Sequence, residues 1–472
     1  MERFFAPLSI AVLGASASPG KAGYNILWNL RAAKVPRGIF PINPNRESIL
    51  GFKAYPSLDE IPASGKPVDL AVICLPPKLV RNAITLCIKN GVRAIIIESG
   101  QLGDTDAEHE RVTREVKQLL ASTANPPRVM GPNSIGVIDM ITGVNTSLIP
   151  FDSIPALASR GVAIAGQTGL IASGYLQRII AEGTFPVSKV CCLGNKLDVT
   201  ELDVLEYLAR DPATSTIALY LEDVRDGARF VALARQCLVG GGKPVIIVKA
   251  GRTEAGQAAV RSHTGSMAGN DRVFDAALRR CGAIRVDDFE ALWIQAQYMH
   301  RAPLPPGRRV AVVSISGAGC ALSVDAAATC GLSVPPLPER ARAALQRIFP
   351  PWFAFTNPVD LWAAIEQQGS KPAWAAAVEA LLSDAYDALV IVTLAMPESL
   401  IDWEHLQRMR VAHPGKPIIL ALLGGHASLV AEWEREAAVA GIPVVKSPAI
   451  ALQALARARS MAEWVDRAKK NA

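Results

Sequence analysis

Features that mark metal, disulfide and membrane proteins are missing from the 472-residue sequence. Its eight cysteines include no C-x-x-C pair, and no cluster of metal-ligating residues stands out, which disfavours a zinc site and a disulfide framework. No uninterrupted apolar run reaches the roughly 20 residues that a membrane-spanning helix needs. The apolar run Leu8–Leu13 leads into a glycine turn, which favours a first strand over a signal peptide. We therefore expect a cytoplasmic protein with reduced thiols, no metal and no membrane association.

Familiar nucleotide and hydrolase motifs are missing as well. The sequence contains no G-x-G-x-x-G, no G-x-x-x-x-G-K-[ST] and no G-x-S-x-G. The second predicted strand ends at Pro41–Pro44 without an acidic residue to hold a ribose diol, so NAD is disfavoured. The net charge of +6 comes from 49 basic and 43 acidic residues spread along the chain. That balance suits an anionic ligand but not a nucleic-acid partner, which would require a clustered basic stripe.

Short apolar runs alternate with helical patterns along the chain. The runs are continuous rather than alternating, as in Ala94–Ile97, which indicates strands buried on both faces. The fold class is therefore α/β, with doubly wound parallel sheets. A proline-rich linker at 301–307 precedes a strand–turn–helix series that is similar to the one starting at residue 162. We predict three domains, at 1–145, 146–302 and 303–472.

The turn Gly14-Ala-Ser-Ala-Ser-Pro-Gly20 lies between the first predicted strand and a helix. Backbone N–H groups in such a turn can hold a phosphate. The turn lacks the dinucleotide spacing, but it allows a nucleotide with an extra phosphate such as CoA, which Lys21 and Arg46 could meet. The alternative is an ordinary structural turn.

A second turn, Gly166-Gln-Thr-Gly169, also ends a predicted strand and opens a helix. The Thr168 hydroxyl and the N–H groups at the start of the helix are suited to an anion. Small residues fill many turns of this kind, so the motif alone is weak evidence.

His263 stands among small and hydroxyl-bearing residues in 261–269, which we predict to be a loop before a helix with Asn270 as its N-cap and Gly282 at its end. A neutral imidazole can accept a phosphoryl group. A carboxylate behind the other ring nitrogen would fix the tautomer, and Glu222, which follows the predicted strand Ile217–Leu221, is the candidate. The alternative is an ordinary surface histidine.

Ten motifs in one order carry a resemblance to a known family. They are the Gly14-rich turn, Pro41-x-Asn-Pro44, Pro76-Pro77, Glu98-Ser-Gly100, Gly131-Pro-Asn-Ser-x-Gly136, Gly166-Gln-Thr-Gly169, Gly194-Asn-Lys196, Tyr220-Leu-Glu-Asp-Val-Arg-Asp-Gly227, Lys249-Ala-Gly-Arg252 and Ser262-His-Thr-Gly-Ser266. Together they resemble the NDP-forming acyl-CoA synthetases, which are similar to the α subunit of succinyl-CoA synthetase. The resemblance implies a Rossmann-like CoA-binding domain followed by two flavodoxin-like ligase domains.

The resemblance also implies roles for individual residues. His263 matches the family's phosphohistidine and Glu222 the carboxylate that supports it. The expected CoA-binding residues are Gly14, Ser16, Ser18, Gly20, Lys21, Asn43, Pro76, Glu98 and Asn133, and the expected phosphate-binding residues are Thr168, Gly169, Gly317 and Gly319. Thr168 replaces the usual serine and keeps the hydroxyl. Ile315-Ser-Gly-Ala replaces the family's Asn-Ala-Gly-Gly, which leaves the role of that turn open.

The family's ATP-grasp module is not among these residues, so the resemblance implies a partner β chain that binds ATP or ADP and Mg²⁺, and hence an oligomer. A small carboxylic acid would become an acyl phosphate, the CoA thiolate would attack it, and His263 would relay the phosphoryl group between two centres. A non-catalytic CoA-binding regulatory protein is the alternative, although the intact Ser262-His-Thr-Gly segment disfavours it. An oxidoreductase is disfavoured by the missing NAD motifs.

Overall fold

The computed structural model describes residues 1–264, 269–383 and 385–470, and the side chains of residues 262–264 lie outside that description. The chain divides into two compact units, one of residues 1–182 and 186–287 and one of residues 183–185 and 288 onward. The predicted fold class, α/β with mostly parallel sheets, is confirmed. The domain boundaries at 145 and 302 stay predictions. No described helix is long and apolar enough to cross a membrane.

The first sheet has five parallel strands in the order β2-β1-β5-β6-β7, and a small hairpin lies beside it. The strands, including the hairpin pair β3 and β4, are β1 (Ile10–Leu13), β2 (Ile39–Ile42), β3 (Ser48–Ile49), β4 (Phe52–Lys53), β5 (Leu70–Ile73), β6 (Ala94–Ile97) and β7 (Arg128–Met130). The helices are α1 (Glu2–Phe5), α2 (Ala22–Leu30), α3 (Pro77–Lys89) and α4 (Asp106–Ser122), with 3₁₀ turns at Leu58–Glu60 and Ala63–Gly65.

Both faces of this sheet are buried, because alternate residues of each strand enter different cores. Ile96 of β6 packs in the core that contains Ile26 of α2. Ile97, the next residue, packs in the core that contains Val80 of α3 and Val112 of α4. Helices on both faces explain why these strands are continuously apolar in sequence.

The second sheet belongs to the same compact unit and has the order β13-β12-β11-β9-β10-β8. Its strands are β8 (Gly136–Asp139), β9 (Gly161–Gly166), β10 (Val187–Cys192), β11 (Thr214–Leu221), β12 (Val245–Lys249) and β13 (Ile284–Val286). Its helices are α5 (Leu176–Glu182), α6 (Glu201–Arg210), α7 (Gly227–Arg235), α8 (Glu254–Thr264) and α9 (Asp271–Cys281), with wider π-helical turns at Ile171–Tyr175 and Gln236–Gly240. The edge strand β8 runs antiparallel to β10, and the other pairs are parallel.

The ends of α9 follow the local chemistry of the sequence. Asn270 accepts hydrogen bonds from the backbone N–H groups of Arg272 and Val273, which would otherwise have no partner in the first turn. Gly282 ends the helix in the left-handed conformation, with φ of 73°. Both predicted caps are therefore confirmed.

The second compact unit contains a third parallel sheet in the order β15-β14-β16-β17-β18. Its strands are β14 (Val310–Ser314), β15 (Val359–Asp360), β16 (Ala388–Ala395), β17 (Ile418–Gly425) and β18 (Val444–Val445). Its helices are α10 (Phe289–Arg301), α11 (Gly317–Thr329), α12 (Glu339–Gln346), α13 (Trp362–Gln368), α14 (Ser370–Leu381), α15 (Trp403–Ala412), α16 (Ala427–Val439) and α17 (Pro448–Lys470), with a 3₁₀ turn at Pro397–Ser399. This unit has a hydrophobic core of its own, in which Trp374 and Trp433 are buried.

Candidate active site

The turn after β9 has the form of an anion-binding helix start. The Thr168 hydroxyl accepts a hydrogen bond from Leu170 N at 3.2 Å, so it caps the helical segment that follows. Gly166 has no room for a side chain, because a Cβ there would lie 2.8 Å from Tyr220 O. Thr168 and Gly169 are partly exposed. Backbone N–H groups at this turn are thus available to an anion at the carboxyl edge of the sheet.

Gln167 holds this turn against the residues that follow β11. Its side-chain oxygen accepts hydrogen bonds from Glu222 N at 2.9 Å and Asp223 N at 3.3 Å, and its Nε2 donates to Asp223 Oδ1 at 3.1 Å. Glu222 is buried, with 2% exposure. Burial, and then the neighbouring Glu222 carboxylate to which Tyr220 is hydrogen-bonded, raise the pKa of Tyr220 to about 12. The turn at 166–169 and Glu222 are therefore fixed relative to each other.

His263 belongs by its backbone to α8, and its side chain lies outside the described residues. The sequence predicted a loop here, but the helix reaches Thr264, since the segment from Glu254 contains three alanines, a glutamate and a glutamine, which are good helix formers. Strands β11 and β12 are parallel neighbours with Leu221 opposite Lys249. Glu222 and the segment leading to α8 therefore leave the sheet at the same edge, and the pairing of Glu222 with His263 stays a prediction.

A buried ionic cluster beneath this edge has no counterpart in the sequence predictions. Lys196 is 1% exposed, and its Nζ lies 2.5 Å from Asp223 Oδ1 and 2.9 Å from Glu201 Oε2. It also donates to Asp223 O at 2.9 Å. Lys196 has a φ of 55°, so its loop is held in a conformation that non-glycine residues seldom adopt. Because Asp223 also bonds Gln167, the cluster supports the backbone that carries Glu222.

The carboxyl edge of the first sheet brings together the residues expected to bind CoA. Gly14 has a φ of 88°, and a Cβ there would lie 2.5 Å from Cys74 O, so only glycine fits this approach to β5. Asn43 Nδ2 donates to Ala15 O at 2.8 Å and ties the end of β2 to this turn. The exposed members of the set are Ser18, Gly20, Lys21, Pro76 and Asn133, and Ser16 is partly exposed and accepts a hydrogen bond from Ser18 N at 3.0 Å.

Glu98 differs from the rest of this set because it is buried. It follows β6, is 8% exposed, and neither of its carboxyl oxygens has a hydrogen-bond partner among the described residues. Burial raises the pKa of the Glu98 carboxyl well above its usual range. The thiols of Cys74 and Cys192 interact with it, and burial followed by the Glu98 charge raises the pKa of both, to about 12 for Cys192.

Short contacts join the two carboxyl edges within the first compact unit. Ser134 N donates to Ile97 O at 3.2 Å, and its hydroxyl donates to Cys192 O at 2.5 Å. Asn195 N donates to Pro132 O at 2.9 Å. A Cβ on Gly169 would lie 3.0 Å from Ile135. The loop at 131–135 therefore connects the end of β6 with the turn at 166–169 of the second sheet.

Two family models match parts of the chain. A CoA binding domain matches residues 8–140, and a succinyl-CoA ligase-like flavodoxin domain matches residues 159–299. The alpha subunit of acetate–CoA ligase [ADP-forming] II from Pyrococcus furiosus is 31% identical over 455 residues, which are 95% of this chain and 95% of that subunit. This chain belongs to the ADP-forming acyl-CoA synthetases. It is an acid–CoA ligase by family, and the non-catalytic alternative is not favoured.

Other members of this synthetase family extend the comparison. Acetate–CoA ligase [ADP-forming] II from Archaeoglobus fulgidus is 33% identical over 98% of this chain, which spans 67% of that longer relative. The solved structure of an acetyl-coenzyme A synthetase 1 from Ca. Korarchaeum cryptofilum, in complex with phosphate and ADP, superposes with a TM-score of 0.85. It is 27% identical, and the superposition covers 100% of this chain and 98% of that chain. Binding of CoA and nucleotide by this family is thus supported.

In the second unit of this synthetase, Gly317 and Gly319 begin α11, and Ser316 is the N-cap. A Cβ on Gly319 would lie 2.4 Å from Ser314 Oγ, so the glycine allows the helix to approach β14. Asp360, at the end of β15, lies 3.4 Å from the position of a Cβ on Gly317. A carboxylate therefore already lies beside this helix start, and the phosphate role of the two glycines stays a prediction. No group of three metal-binding side chains occurs among the described residues.

Proposed function

We propose that this chain is the CoA-binding and phosphohistidine-carrying component of an ADP-forming acid–CoA ligase. Hydrogen bonds of Gln167 at 2.9 and 3.3 Å fix the phosphate turn against Glu222 and Asp223, next to the CoA-binding sheet, and this arrangement carries the proposal. His263 accepts a phosphoryl group at nitrogen, and Glu222 orients the imidazole. The N–H groups at Thr168 and Gly169 hold the phosphoryl oxygens during transfer.

The reaction proceeds in three transfers. ATP phosphorylates His263, the phosphohistidine gives its phosphoryl group to the carboxylate of the acid, and the CoA thiolate displaces phosphate from the acyl phosphate. CoA lies across the carboxyl edge of the first sheet, with its phosphates at the turn from Gly14 to Gly20 and near Lys21. Asn43, Pro76 and Asn133 border the same edge.

An ATP-grasp partner supplies the nucleotide site in this proposal. Two relatives, which this chain covers to 95% and 98% of their length, are named as alpha subunits, and these names support the proposal of a partner chain. Mg²⁺ would accompany ATP on that partner and neutralise the phosphate charge. The substrate is a small carboxylic acid. We also propose a cytoplasmic location, because all eight cysteines are free thiols.

The first experiment incubates the chain with γ-labelled ATP and a candidate ATP-grasp chain. We expect acid-labile, base-stable phosphate on His263 by intact mass and peptide mapping. His263→Ala should abolish the label and the turnover of ATP with acid and CoA, but leave CoA binding intact. Glu222→Gln should slow labelling by about 10- to 100-fold, as loss of a group that orients a reactive histidine does.

His413→Ala is the matched control, because His413 lies at the end of α15 in the second unit and has no assigned role. It should label His263 at the wild-type rate. Full turnover by His263→Ala would overturn the phosphohistidine assignment. A wild-type chain that binds CoA but takes up no label, whether ATP with the partner chain or an acyl phosphate is the donor, would instead favour a CoA-binding protein without ligase activity.

A further inference from the structure

Glu98 is expected from the sequence to be a CoA-binding residue, but the proposed function gives it no chemical step. The residue is 8% exposed, and neither carboxyl oxygen has a hydrogen-bond partner among the described residues. Such a group destabilises the folded protein, because burial removes the water that would hydrate it and no protein group takes the place of that water. Buried polar groups of native proteins nearly always have partners, and an exception calls for a ligand or a chemical role. Asn195 Oδ1, in the loop that contacts 131–133, is also buried, with no hydrogen-bond partner in the part of the chain that the structure describes.

The position of Glu98 in the fold limits which ligand or reaction it can serve. It follows β6, the neighbour of β5, and β5 and β1 border the switch point of the sheet, because the chain leaves β1 toward β2 and leaves β5 toward β6. Ligands of open α/β sheets bind in the crevice at such a switch point. Glu98 also interacts with Cys192, the last residue of β10, which is paired with Gly166 at the beginning of the phosphate turn. Glu98 therefore lies between the sheet that matches the CoA-binding model and the turn proposed to hold the phosphoryl group.

We propose that Glu98 is the base that accepts the proton of the CoA thiol during thioester formation. This proposal rests on the proposed function. The Glu98 carboxylate takes the S–H proton, the sulfur forms a bond to the carbonyl carbon of the acyl phosphate, and the bond from that carbon to the phosphate oxygen breaks. The neutral Glu98 carboxyl then returns its proton to the departing phosphate, which leaves as hydrogen phosphate. The step conserves atoms and charge, and it returns Glu98 to the carboxylate form for the next turnover.

The surroundings of Glu98 suit this task. Burial raises the pKa of the Glu98 carboxyl well above its usual range, and a carboxylate with a raised pKa is a stronger base. The titratable groups that face it are the thiols of Cys74 and Cys192, which stay protonated because burial raises their pKa values too. Neither cysteine can therefore replace Glu98 as the base near neutral pH.

The test measures acyl-CoA formation from CoA and a panel of acyl phosphates by the assembled enzyme with its ATP-grasp chain. Glu98→Gln should lower this rate at pH 7 by about 100-fold or more, as loss of a general base does. Labelling of His263 by ATP should stay at the wild-type rate, because Glu98 takes no part in phosphoryl transfer to the histidine. The deficit should shrink above about pH 8.5, where a free thiol ionises without help. Glu98→Asp should restore part of the rate.

Glu60→Gln provides the matched control, since it removes the same charge from an exposed position in the same sheet domain. Wild-type rates in Glu98→Gln at pH 7 would overturn the proposal. An equal loss of CoA affinity, labelling and acyl transfer at every pH would also overturn it, because that pattern indicates a structural role. No acyl-CoA from the wild-type enzyme with any acyl phosphate would overturn the proposed function itself, together with this role of Glu98.

Discussion

At the scale of single residues, Gln167 connects the two segments on which phosphoryl transfer depends. Both polar atoms of its side-chain amide form hydrogen bonds: the oxygen accepts from two backbone N–H groups, and the nitrogen donates to Asp223. Asp223 in turn pairs with Lys196. A change at Gln167 therefore affects the position of Glu222 without touching Glu222 itself.

We predict that Gln167→Leu slows the labelling of His263 by about 10-fold or more. The leucine leaves two buried N–H groups without an acceptor, which costs about 1–3 kcal/mol each and displaces the backbone of Glu222. CoA affinity should not change, since the first sheet keeps its contacts. Rapid-quench labelling and CoA titration measure the two effects separately. Gln118→Leu, the same change at an exposed site of α4, should alter neither quantity, and wild-type labelling by Gln167→Leu would contradict the prediction.

Polar clusters of this kind are the part of the site that the sequence could not predict. The motifs containing Gly194-Asn-Lys196 and Glu222 were visible, but the pairing of Lys196 with Glu201 and Asp223 depends on how three separate segments meet. No periodic pattern in the sequence indicates which distant segments come into contact. The ends of strands and the caps of α9 were predictable because their signals are local: an apolar run, a turn and a capping side chain.

At the scale of elements, strands that are continuous apolar runs were easier to predict than the short edge strands of the second and third sheets. Strands β5 and β6 are continuous apolar runs, and their sequence requires burial on both faces. The edge strands β8, β13, β15 and β18 have two to four residues each, so tertiary pairing determines them rather than any pattern of their own. The antiparallel direction of β8 is likewise determined by its tertiary pairing with β10 and not by its own sequence.

The turn that joins β1 to α2 allows a prediction at this scale. Gly14→Ala should destabilise the first unit by about 3 kcal/mol or more and weaken CoA binding, because the new Cβ combines an unfavourable positive φ with a clash against the backbone of Cys74. Gly51→Ala is the control, since Gly51 has a similar φ of 84° and open space around its Cβ position. It should cost only about 1–2 kcal/mol. Urea unfolding and CoA titration measure both variants, and equal costs would contradict the steric argument.

At the scale of the whole molecule, the two compact units have separate cores, and the residues expected to bind CoA all belong to the first. The family models match this first unit and the beginning of the second, up to residue 299. A ligand that binds only the native form of one unit stabilises that unit in proportion to the logarithm of its concentration.

We therefore predict two thermal transitions, of which CoA raises only the one that belongs to the first unit. At a CoA concentration about 100 times the dissociation constant, binding contributes about 2.7 kcal/mol. That corresponds to an increase of roughly 4–5 °C for a unit of this size. Calorimetry, with tryptophan fluorescence to follow Trp374 and Trp433 in the core of the second unit, assigns each transition. Gly14→Ala should lower the first transition and reduce its response to CoA, whereas the second should stay in place. An equal shift of both transitions would show that CoA contacts or couples both units, and would move the binding site beyond the first sheet.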